Sequence, residues 1–309
     1  MKPKHIEFLD NLLASVLTTL KVILLSKFFI KKPHKLSNHQ DCVLLGNGPS
    51  LKPFLLDHLD FLKDKAVFCV NNFVRTQAYP LVKPQYYVIV APDYWTKEEK
   101  PGWKEERFKI FYELAEKTDW ELLLFVPALA RKHPEWKKIL HQNPKIKIAY
   151  FNNTPVEGLT FLSHFYFRRW LGMPRPHNVL VGTITIALNM GFKNCYITGA
   201  DHSWLKEIIV ADDNRVYLSQ KHFYDDHLKS KTYTDEARPM YVGGTSRERR
   251  LHEILYKFYY SFRSYWELLD YAKELGTQIY NLTPGSYIDA FERKTLEAKH
   301  GQSATSQTY

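Results

Sequence analysis

The chain has 309 residues, with 43 Lys and Arg against 33 Asp and Glu, a formal net charge of +10 and 45% hydrophobic residues. This composition excludes a disordered, collagen-like or disulfide-built protein. Cys42, Cys69 and Cys195 are an odd, widely spaced set without a CxxC pattern, which predicts a reducing, cytoplasmic setting. The basic charge indicates an anionic partner, which is nucleic acid, a membrane surface or a phosphate-bearing small molecule.

The N-terminal 40 residues are predicted to form an amphipathic, membrane-associating segment. Residues 8–30 are the most apolar stretch of the chain, and Lys31, Lys32 and Lys35 follow them. Acidic Glu7 and Asp10 precede the apolar core, and no small-residue cleavage site follows it, so the stretch does not fit a secretory signal. Its polar residues recur at i+3 and i+4 spacing and form one helical stripe. Two interpretations stay open, a helix in a membrane interface next to anionic lipid or a helix packed on the protein itself or on a partner subunit.

Seven short apolar runs rich in Val, Ile, Tyr and Leu predict buried strands after residue 40. The segments between most of them are long enough for crossover helices, so we expect an α/β fold, a single Rossmann-like domain with a mainly parallel sheet. In such sheets ligands bind beyond the carboxyl ends of the strands. The predicted strands are 41–47, 66–72, 85–91, 121–127, 145–151, 194–200 and 277–283.

The predicted sheet pattern is interrupted once. Residues 205–265 are dense in charge and Tyr, show no clear strand period and carry a hinge candidate at Gly243-Gly244, so we expect a lid insertion there. The Rossmann-like nucleotide-binding domain is then 41–204, and 266–309 supply a C-terminal strand and helix that complete it.

The first candidate binding motif is GNGPSL, residues 46–51, at the end of the first predicted strand. Gly48 permits close approach of a ligand to the backbone, Asn47 supplies a neutral donor and acceptor, and Ser50 can cap the next helix or contact an oxygen. The N-terminus of that helix favours an anion such as phosphate. The motif is neither a P-loop nor a dinucleotide fingerprint, and a plain strand-to-helix turn is the competing interpretation.

Further candidates follow other predicted strands. Asn71 and Asn72 can bind a base edge, a sugar hydroxyl or a carboxylate, or form a turn. Asp93 lies in a loop beside two aromatic residues. Its carboxylate is a candidate for ligand binding, and the competing interpretations are a helix cap and a solvated side chain.

The loop after the sixth predicted strand combines small, titratable and aromatic residues. Gly199 leaves room for a ribose or base, Asp201 can accept from hydroxyls, His202 is an acid or base candidate, and Trp204 can stack on a ring. The competing interpretation is a helix cap by Asp201 beside an incidental His.

Within the predicted lid, KHFYDD places Lys221, His222 and Tyr224 where side chains could lie over a phosphate and a reacting hydroxyl. The alternative is a solvated basic face. The Asp pairs 212–213 and 225–226 do not form a DxD pattern at a strand end, so no metal and no cofactor are predicted.

The order of the motifs resembles that of the family 42 bacterial sialyltransferases. The similarity rests on GNGPSL, the VF-x-x-N-N strand, the run TITIALNMGFKNCYITGAD and IYNLTPGS, over roughly residues 41–204 and 277–291. The motility-accessory and MptE-like (pterin pyrophosphokinase-like) group shares the GNGPSL opening. The resemblance implies a Rossmann-like domain with a lid, a CMP-activated sugar bound without metal, and a lid His as general base.

By position, the resemblance implies that Asn47 meets the donor nucleotide, that Asn71 and Asn72 are donor-binding and acceptor-side amides, and that Gly199 lies in the turn beside the nucleotide. The base would be His222 or His252. The chain departs from the family at Ala91-Pro92, where the family has Asn-Pro, and at Ser203, where it has Tyr.

The sequence therefore predicts an inverting, metal-independent glycosyltransferase that moves a sugar, including a sialic-acid-like sugar, from a nucleotide-activated donor to a surface-glycan or glycolipid acceptor. We expect peripheral attachment to the inner face of the cytoplasmic membrane and no nucleic-acid binding. An oligomer is possible. The alternatives are a pterin pyrophosphokinase-like enzyme and a catalytically inactive nucleotide-binding assembly protein.

Overall fold

The computed structural model describes residues 3–95, 103–218, 238–242 and 245–297. Its α-helices are α1 Lys4–Leu25, α2 Leu51–His58, α3 Tyr79–Val82, α4 Trp103–Lys117, α5 Glu135–Leu140, α6 Thr160–Arg168, α7 Val179–Asn189 and α8 Leu251–Leu275. Its strands are β1 Asp41–Leu45, β2 Ala66–Val70, β3 Tyr86–Val88, β4 Leu122–Pro127, β5 Ile146–Phe151, β6 Asn194–Thr198, β7 Ile208–Val210, β8 Val216–Leu218, β9 Arg238–Pro239, β10 Gln278–Asn281 and β11 Glu292–Arg293.

Eight of the strands form one sheet in the order β11-β10-β6-β1-β2-β3-β4-β5, and each neighbouring pair is parallel. Each of the seven predicted strands is present in this sheet, because each is a buried apolar run that the two helical layers cover. The predicted α/β, Rossmann-like fold class is confirmed. The sequence missed β11, which is only two residues long and polar.

The chain changes direction across the sheet between β1 and β6. From β1 the chain adds β2, β3, β4 and β5 in turn on one side, whereas β6, β10 and β11 extend the sheet on the other. β1 and β6 pair in register from Asp41 with Asn194 to Leu45 with Thr198, so both end at the same level. The loops after them lead away to opposite sides, which leaves a crevice at this topological switch point.

Two apolar cores lie on the two faces of the sheet. One contains buried apolar residues of α6, α7 and the second half of α8, and the other contains those of α2, α4 and α5; Ile254 and Phe258 of α8 pack with β8 in a smaller cluster. Helix α7 is buried along nearly its whole length, which explains its mostly apolar sequence, and its Thr183 and Thr185 hydroxyls donate to backbone carbonyls of the same helix. Helices of both layers start near the carboxyl edge of the sheet, among them α2 and α7, and so shape the crevice there.

The 205–265 segment contains more regular structure than the sequence predicts. β7, β8 and β9 form a small antiparallel sheet, and α8 begins at Leu251, so the predicted boundary at 265 falls inside this helix. Tyr265 and Leu268 of α8 pack in the main core, and α8 therefore belongs in part to the main domain. The sequence shows little alternation of apolar and polar residues in this segment, because β7, β8 and β9 have only three, three and two residues. The hinge candidate Gly243-Gly244 lies outside the described residues.

Helix α1 packs on the domain through its polar stripe. The Thr18 hydroxyl donates to the Glu157 carbonyl (2.9 Å) and accepts from the Glu157 N–H (3.1 Å), and the Ser15 hydroxyl accepts from the Leu159 N–H (2.8 Å). Gly158, at φ +117°, permits this contact, because a Cβ there would collide with Ser15. The C-terminal part of the predicted stripe, with Thr18, therefore faces the protein, whereas its N-terminal members Glu7 and Asp10 are exposed.

The outward side of α1 is apolar. Eleven large apolar side chains of this helix are exposed, from Ile6 to Leu25, and Phe28 and Phe29 follow. Among the described residues, α1 is the helix long and apolar enough to cross a membrane by length and composition, with a mean hydropathy of 1.7. Lys27, Lys31 and Lys32 are exposed near its end, whereas Lys35 is half-buried and donates to the Gly191 carbonyl (2.9 Å).

Candidate functional site

A cleft of about 270 Å³ lies at the switch point, and we call it the switch-point cleft. The loops after β1, β2 and β6 and the start of α7 form its walls, as expected for a parallel sheet. Its lining residues are Gly46, Asn47, Gly48, Pro49, Val70, Asn71, Asn178, Val179, Leu180, Gly199, Asp201, His202, Ser203, Trp204 and Glu207.

Glycines allow two backbone segments to touch at the floor of this cleft. The Gly46 N–H donates to the Thr198 carbonyl, and the Gly48 N–H donates to the Gly199 carbonyl, both at 2.8 Å. A Cβ at Gly46 or Gly48 would collide with the Gly199 backbone, and Gly199 itself has φ +66°. The glycines predicted to permit close approach of a ligand therefore first permit close approach of the β1 and β6 loops.

The Asp201 carboxylate lies against the N-terminus of α2. It accepts from the Ser50 hydroxyl at 2.8 Å and from the Ser50 N–H at 3.3 Å. The sequence predicted that this helix end favours a phosphate, but a carboxylate of the chain itself occupies the same position. The reason is the close pairing of the β1 and β6 loops, which brings Asp201 over Gly48.

Unsatisfied polar atoms are concentrated at this edge of the sheet. Among the described residues, six buried side-chain polar atoms have no hydrogen-bond partner. Three of them, Asn47 Oδ1, Asn71 Oδ1 and Asn178 Nδ2, belong to residues that line the switch-point cleft. Folding alone does not explain such atoms, since an unsatisfied buried polar group costs about 1–3 kcal/mol.

The other hydrogen bonds of these amides fix which atom is available. Asn47 Nδ2 donates to the Val70 carbonyl (3.1 Å), which leaves its oxygen as an acceptor. Asn178 caps α7, and its oxygen accepts from the Val181 N–H (3.2 Å) and from the Tyr265 hydroxyl (3.0 Å), which leaves its amide nitrogen as a donor. The cleft therefore offers two acceptors, from Asn47 and Asn71, and one donor, from Asn178.

Asn71 adopts a backbone conformation that is rare for residues other than glycine. Its φ is +49°, at the start of a 3₁₀ turn over Asn71–Arg75, and its carbonyl accepts from the Tyr87 hydroxyl (2.5 Å). Asn is among the residues that tolerate this left-handed region. The turn places the Asn71 side chain in the cleft directly after β2 ends.

His202 is buried and neutral. Its Nε2 lies 2.6 Å from the Tyr265 hydroxyl, which itself donates to Asn178, so His202 Nε2–H donates to Tyr265. Burial lowers the pKa of His202 to about 3. The sequence made His202 an acid or base candidate and a donor-binding candidate, and in the structure it contacts Tyr265, whose hydroxyl donates to Asn178.

Trp204 supplies a flat ring beside the polar groups. Its ring centroid lies 4.2 Å from that of His202 and 5.3 Å from that of Phe258, on which it stacks. These two ring contacts hold the indole in position, and Trp204 also lines the cleft.

The other sequence-predicted residues lie elsewhere. The Asn72 oxygen accepts from the Tyr94 hydroxyl (3.1 Å), and Asn72 does not line the cleft. Asp93 lies in the short turn Pro92–Tyr94, and its side chain is outside the described part of the molecule. His252, at the start of α8, lines a separate cleft with Arg215 and Glu248. Lys221, His222 and Tyr224 lie outside the described residues.

Sequence reasoning missed Asn178 and Tyr265 as site residues. Asn178 directly precedes a long apolar run, which is a signal for a helix N-cap. That signal could have placed Asn178 at a helix start, but only the fold brings this start beside the loops after β1 and β2. Tyr265 gives no local signal, because it is one of many Tyr residues on an amphipathic helix.

No family model and no curated protein matches this chain. A solved structure, that of the MAf glycosyltransferase from Magnetospirillum magneticum AMB-1, is similar with a TM-score of 0.47 and 11% identity. The similarity covers 94% of this chain and 39% of that chain, so the chain spans about two fifths of the length of the protein it matches. A similarity of this size leaves the function to be argued from the site.

Proposed function

We propose that the protein is a glycosyltransferase whose nucleotide-activated sugar donor binds in the switch-point cleft. The observation that carries the proposal is the convergence of three amides, each with one unsatisfied atom, at the carboxyl ends of β1 and β2 and the start of α7. A nucleotide is the class of ligand that commonly binds at a switch point of this kind. The order of sequence motifs adds the resemblance to sialyltransferases, which favours a CMP-linked donor.

The free atoms complement a nucleoside. Ribose hydroxyls and an exocyclic amine can donate to Asn47 Oδ1 and Asn71 Oδ1, and a base carbonyl can accept from Asn178 Nδ2. Trp204 offers an aromatic surface for the base or sugar. A cytosine carries both an exocyclic amine and a ring carbonyl, so it satisfies both kinds of group.

The phosphate requires cations from outside this lining. The described lining contains the acidic residues Asp201 and Glu207 and no Lys or Arg. We assign charge neutralisation to Lys221 and a hydrogen bond to the phosphate to the Tyr224 hydroxyl, on the residue types of the KHFYDD segment. These residues would stabilise the leaving phosphate as negative charge develops on it, without a metal ion.

The proposed reaction is a single inverting displacement. The acceptor hydroxyl oxygen forms a bond to the anomeric carbon, the bond from that carbon to the phosphate oxygen breaks, and the nucleotide leaves with the electron pair. A general base takes the acceptor proton, and we assign this role to His222. His252 is the second candidate, but it lines a separate cleft with Arg215 and Glu248.

We also propose that the enzyme works at the inner face of the cytoplasmic membrane, held there by α1. The exposed apolar side of this helix and the nearby Lys27, Lys31 and Lys32 suit an interface that contains anionic lipid. Since Ser15 and Thr18 are tied to the domain, α1 would lie along the membrane and not cross it. Deletion of residues 1–35 tests the attachment, and a truncated protein that stays in the membrane fraction contradicts it.

A ligand panel tests the proposed donor. We expect CMP to raise the melting temperature without a divalent ion, because only ligands that bind the native state stabilise it. Stabilisation by ATP with Mg²⁺ alone would favour the pyrophosphokinase-like alternative. Nucleotide affinity without hydrolysis or transfer across a panel of nucleotide sugars would favour the inactive assembly protein.

The assignment of the base has its own test. His222→Ala should abolish sugar transfer while CMP binding persists, and the matched variant His252→Ala should retain transfer. Wild-type turnover by His222→Ala would exclude His222 as the base.

A further inference from the structure

A second cleft, of about 380 Å³, opens at the same edge of the sheet, beyond β4 and β5. We call it the lateral cleft. Its mouth is apolar, with Leu25 at the end of α1 and Leu129 after β4 both exposed. The remaining lining residues are Ala128, Asn152, Asn153, Thr154, Pro155, Arg175, Pro176 and His177.

A polar atom without a partner lies in this lining. His177 Nε2 is buried and has no hydrogen-bond partner among the described residues. Burial, followed by the charges of Lys257, Arg175 and Arg249, lowers the pKa of His177 to about 4, and Glu157 acts in the opposite direction. The imidazole is therefore neutral at physiological pH, with one ring nitrogen available to a hydroxyl. Arg175 lines the cleft and is ion-paired with Glu157, whereas Lys257 and Arg249 lie outside the lining and add positive charge nearby, which favours a ligand that also carries negative charge.

The lateral cleft is next to the switch-point cleft along one short segment. His177 lines the lateral cleft and Asn178 lines the switch-point cleft, and the two residues are consecutive. β1 and β4, whose following loops line the two clefts, are three strand spacings apart, on the order of 14 Å. A ligand in the lateral cleft can thus extend toward a donor in the switch-point cleft.

The lateral cleft is also continuous with the apolar surface of α1. Leu25 is both the last residue of α1 and part of the cleft mouth. Phe161 and Phe165 of α6 extend this surface, since α6 contacts α1 through the Tyr166 hydroxyl, which donates to Thr19 (2.9 Å). A molecule with an apolar part on this surface therefore has its polar end at the cleft mouth.

We propose that the lateral cleft binds the head group of a membrane lipid, and that this lipid is the acceptor. Its class is an amphiphile with a hydroxylated ring or sugar joined to the lipid through a phosphate. The apolar tail stays in the bilayer beside α1, a head-group hydroxyl binds His177 Nε2, and the phosphate lies in the positive field of Arg175, Lys257 and Arg249. The identification of the lipid as acceptor rests on the proposed glycosyltransferase function.

Cysteine labelling tests the site without an activity assay. Cys42, Cys69 and Cys195 are all buried, so Leu129→Cys would place an accessible thiol at the cleft mouth. Leu56→Cys is the matched control, because Leu56 is exposed on α2 and lines neither cleft. The probes are phosphatidylcholine vesicles that contain either phosphatidylinositol or an equal fraction of phosphatidylserine, which has the same charge but no hydroxylated ring.

We expect phosphatidylinositol to slow labelling of Leu129→Cys about tenfold when its concentration is ten times Kd, and phosphatidylserine to slow it much less. Leu56→Cys should be labelled at the same rate in the presence of either vesicle. Equal protection of Leu129→Cys by both vesicles would mean that the membrane covers the mouth without head-group binding, which overturns the proposal.

His177→Gln in the Leu129→Cys background sharpens the test. The variant should lose the difference between the two vesicles and keep its affinity for CMP. Protection that survives in His177→Gln contradicts the role of His177. If the protein shows phosphatidylinositol protection but no nucleotide binding, the proposed function fails while the lipid site stands, so the two failures are distinguishable.

Discussion

The switch-point cleft and helix α1 depart from ordinary packing in opposite ways. In the cleft, apolar side chains are buried and polar atoms of Asn47, Asn71 and Asn178 lack partners. Along α1, the polar side chains of Ser15 and Thr18 have partners, and large apolar side chains are exposed. The cleft therefore has polar atoms that a polar ligand can satisfy. Helix α1 has an apolar surface that an apolar phase can cover.

The two regions require different kinds of partner. An unsatisfied amide regains about 1–3 kcal/mol when a ligand supplies the missing hydrogen bond. An exposed Leu gains about 1.5–3 kcal/mol when it is fully buried in an apolar environment. The two regions should therefore respond to different substitutions, and a change in one should leave the other intact.

The largest effect is expected from Gly46→Ala. Its Cβ would collide with the Gly199 backbone, which has no flexible side chain that could move away. We expect CMP binding to fall below detection and the free energy of unfolding to drop by about 1–3 kcal/mol, measured by calorimetry and denaturant unfolding. Gly191→Ala is the control, because Gly191 has φ +75° but open space around it. It should lose about 1–2 kcal/mol of stability and keep its CMP affinity.

The second prediction contrasts the two sides of α1. Leu13→Glu replaces an exposed Leu and should weaken binding to anionic vesicles by roughly 10- to 100-fold, with stability unchanged to about 0.5 kcal/mol. Thr18→Val leaves the Glu157 N–H unpaired and should cost about 1–3 kcal/mol of stability without weakening vesicle binding. Vesicle co-sedimentation and thermal unfolding measure the two effects. The reverse pattern would mean that the outward face of α1 serves the fold and not a membrane.

The third prediction concerns pH. The pKa of His202 is about 3 in the folded protein because of burial, below its ordinary value of 6.5. The unfolded chain therefore binds more protons below pH 6.5, so stability falls as the pH decreases from there toward 3. At pH 5 this single group would cost about 2 kcal/mol relative to neutral pH.

His202→Asn should flatten this dependence, since Asn does not titrate and tolerates the φ of +51° at this position. Melting temperatures of the wild type and the variant between pH 5 and pH 7 provide the measurement. His177 titrates in the same direction, with a pKa of about 4, so part of the slope should persist in the variant. An unchanged slope would show that the protonation of His202 does not limit acid stability.

Much of the fold follows from the sequence because buried parallel strands leave a clear pattern. Seven apolar runs predict seven strands correctly, and GNGPSL is correctly placed at the end of the first of them. The sequence cannot show which strand ends meet, so it assigns a phosphate to the α2 N-terminus where Asp201 lies. It also predicts a polar stripe on α1 without its direction, because a helical pattern does not say which side the protein covers.

The roles of Asn178 and Tyr265 depend on contacts between distant segments. Tyr265 reaches Asn178 across 87 residues of chain, and no local pattern encodes this contact. Residues in short motifs at strand ends are therefore predictable, whereas residues that orient them from another helix are not.

The most direct test of the central claim is calorimetric titration of CMP into the wild type and Asn71→Gly, without divalent ions. Glycine keeps the φ of +49° available and removes only the side chain with the free oxygen, so stability should be retained. Asn214→Gly is the control, since Asn214 has φ +61° and lies outside the switch-point cleft. We predict one saturable site in the wild type and in Asn214→Gly, and affinity about tenfold weaker in Asn71→Gly. Equal CMP affinity in all three proteins, or no CMP binding by the wild type, would contradict a nucleotide site in this cleft.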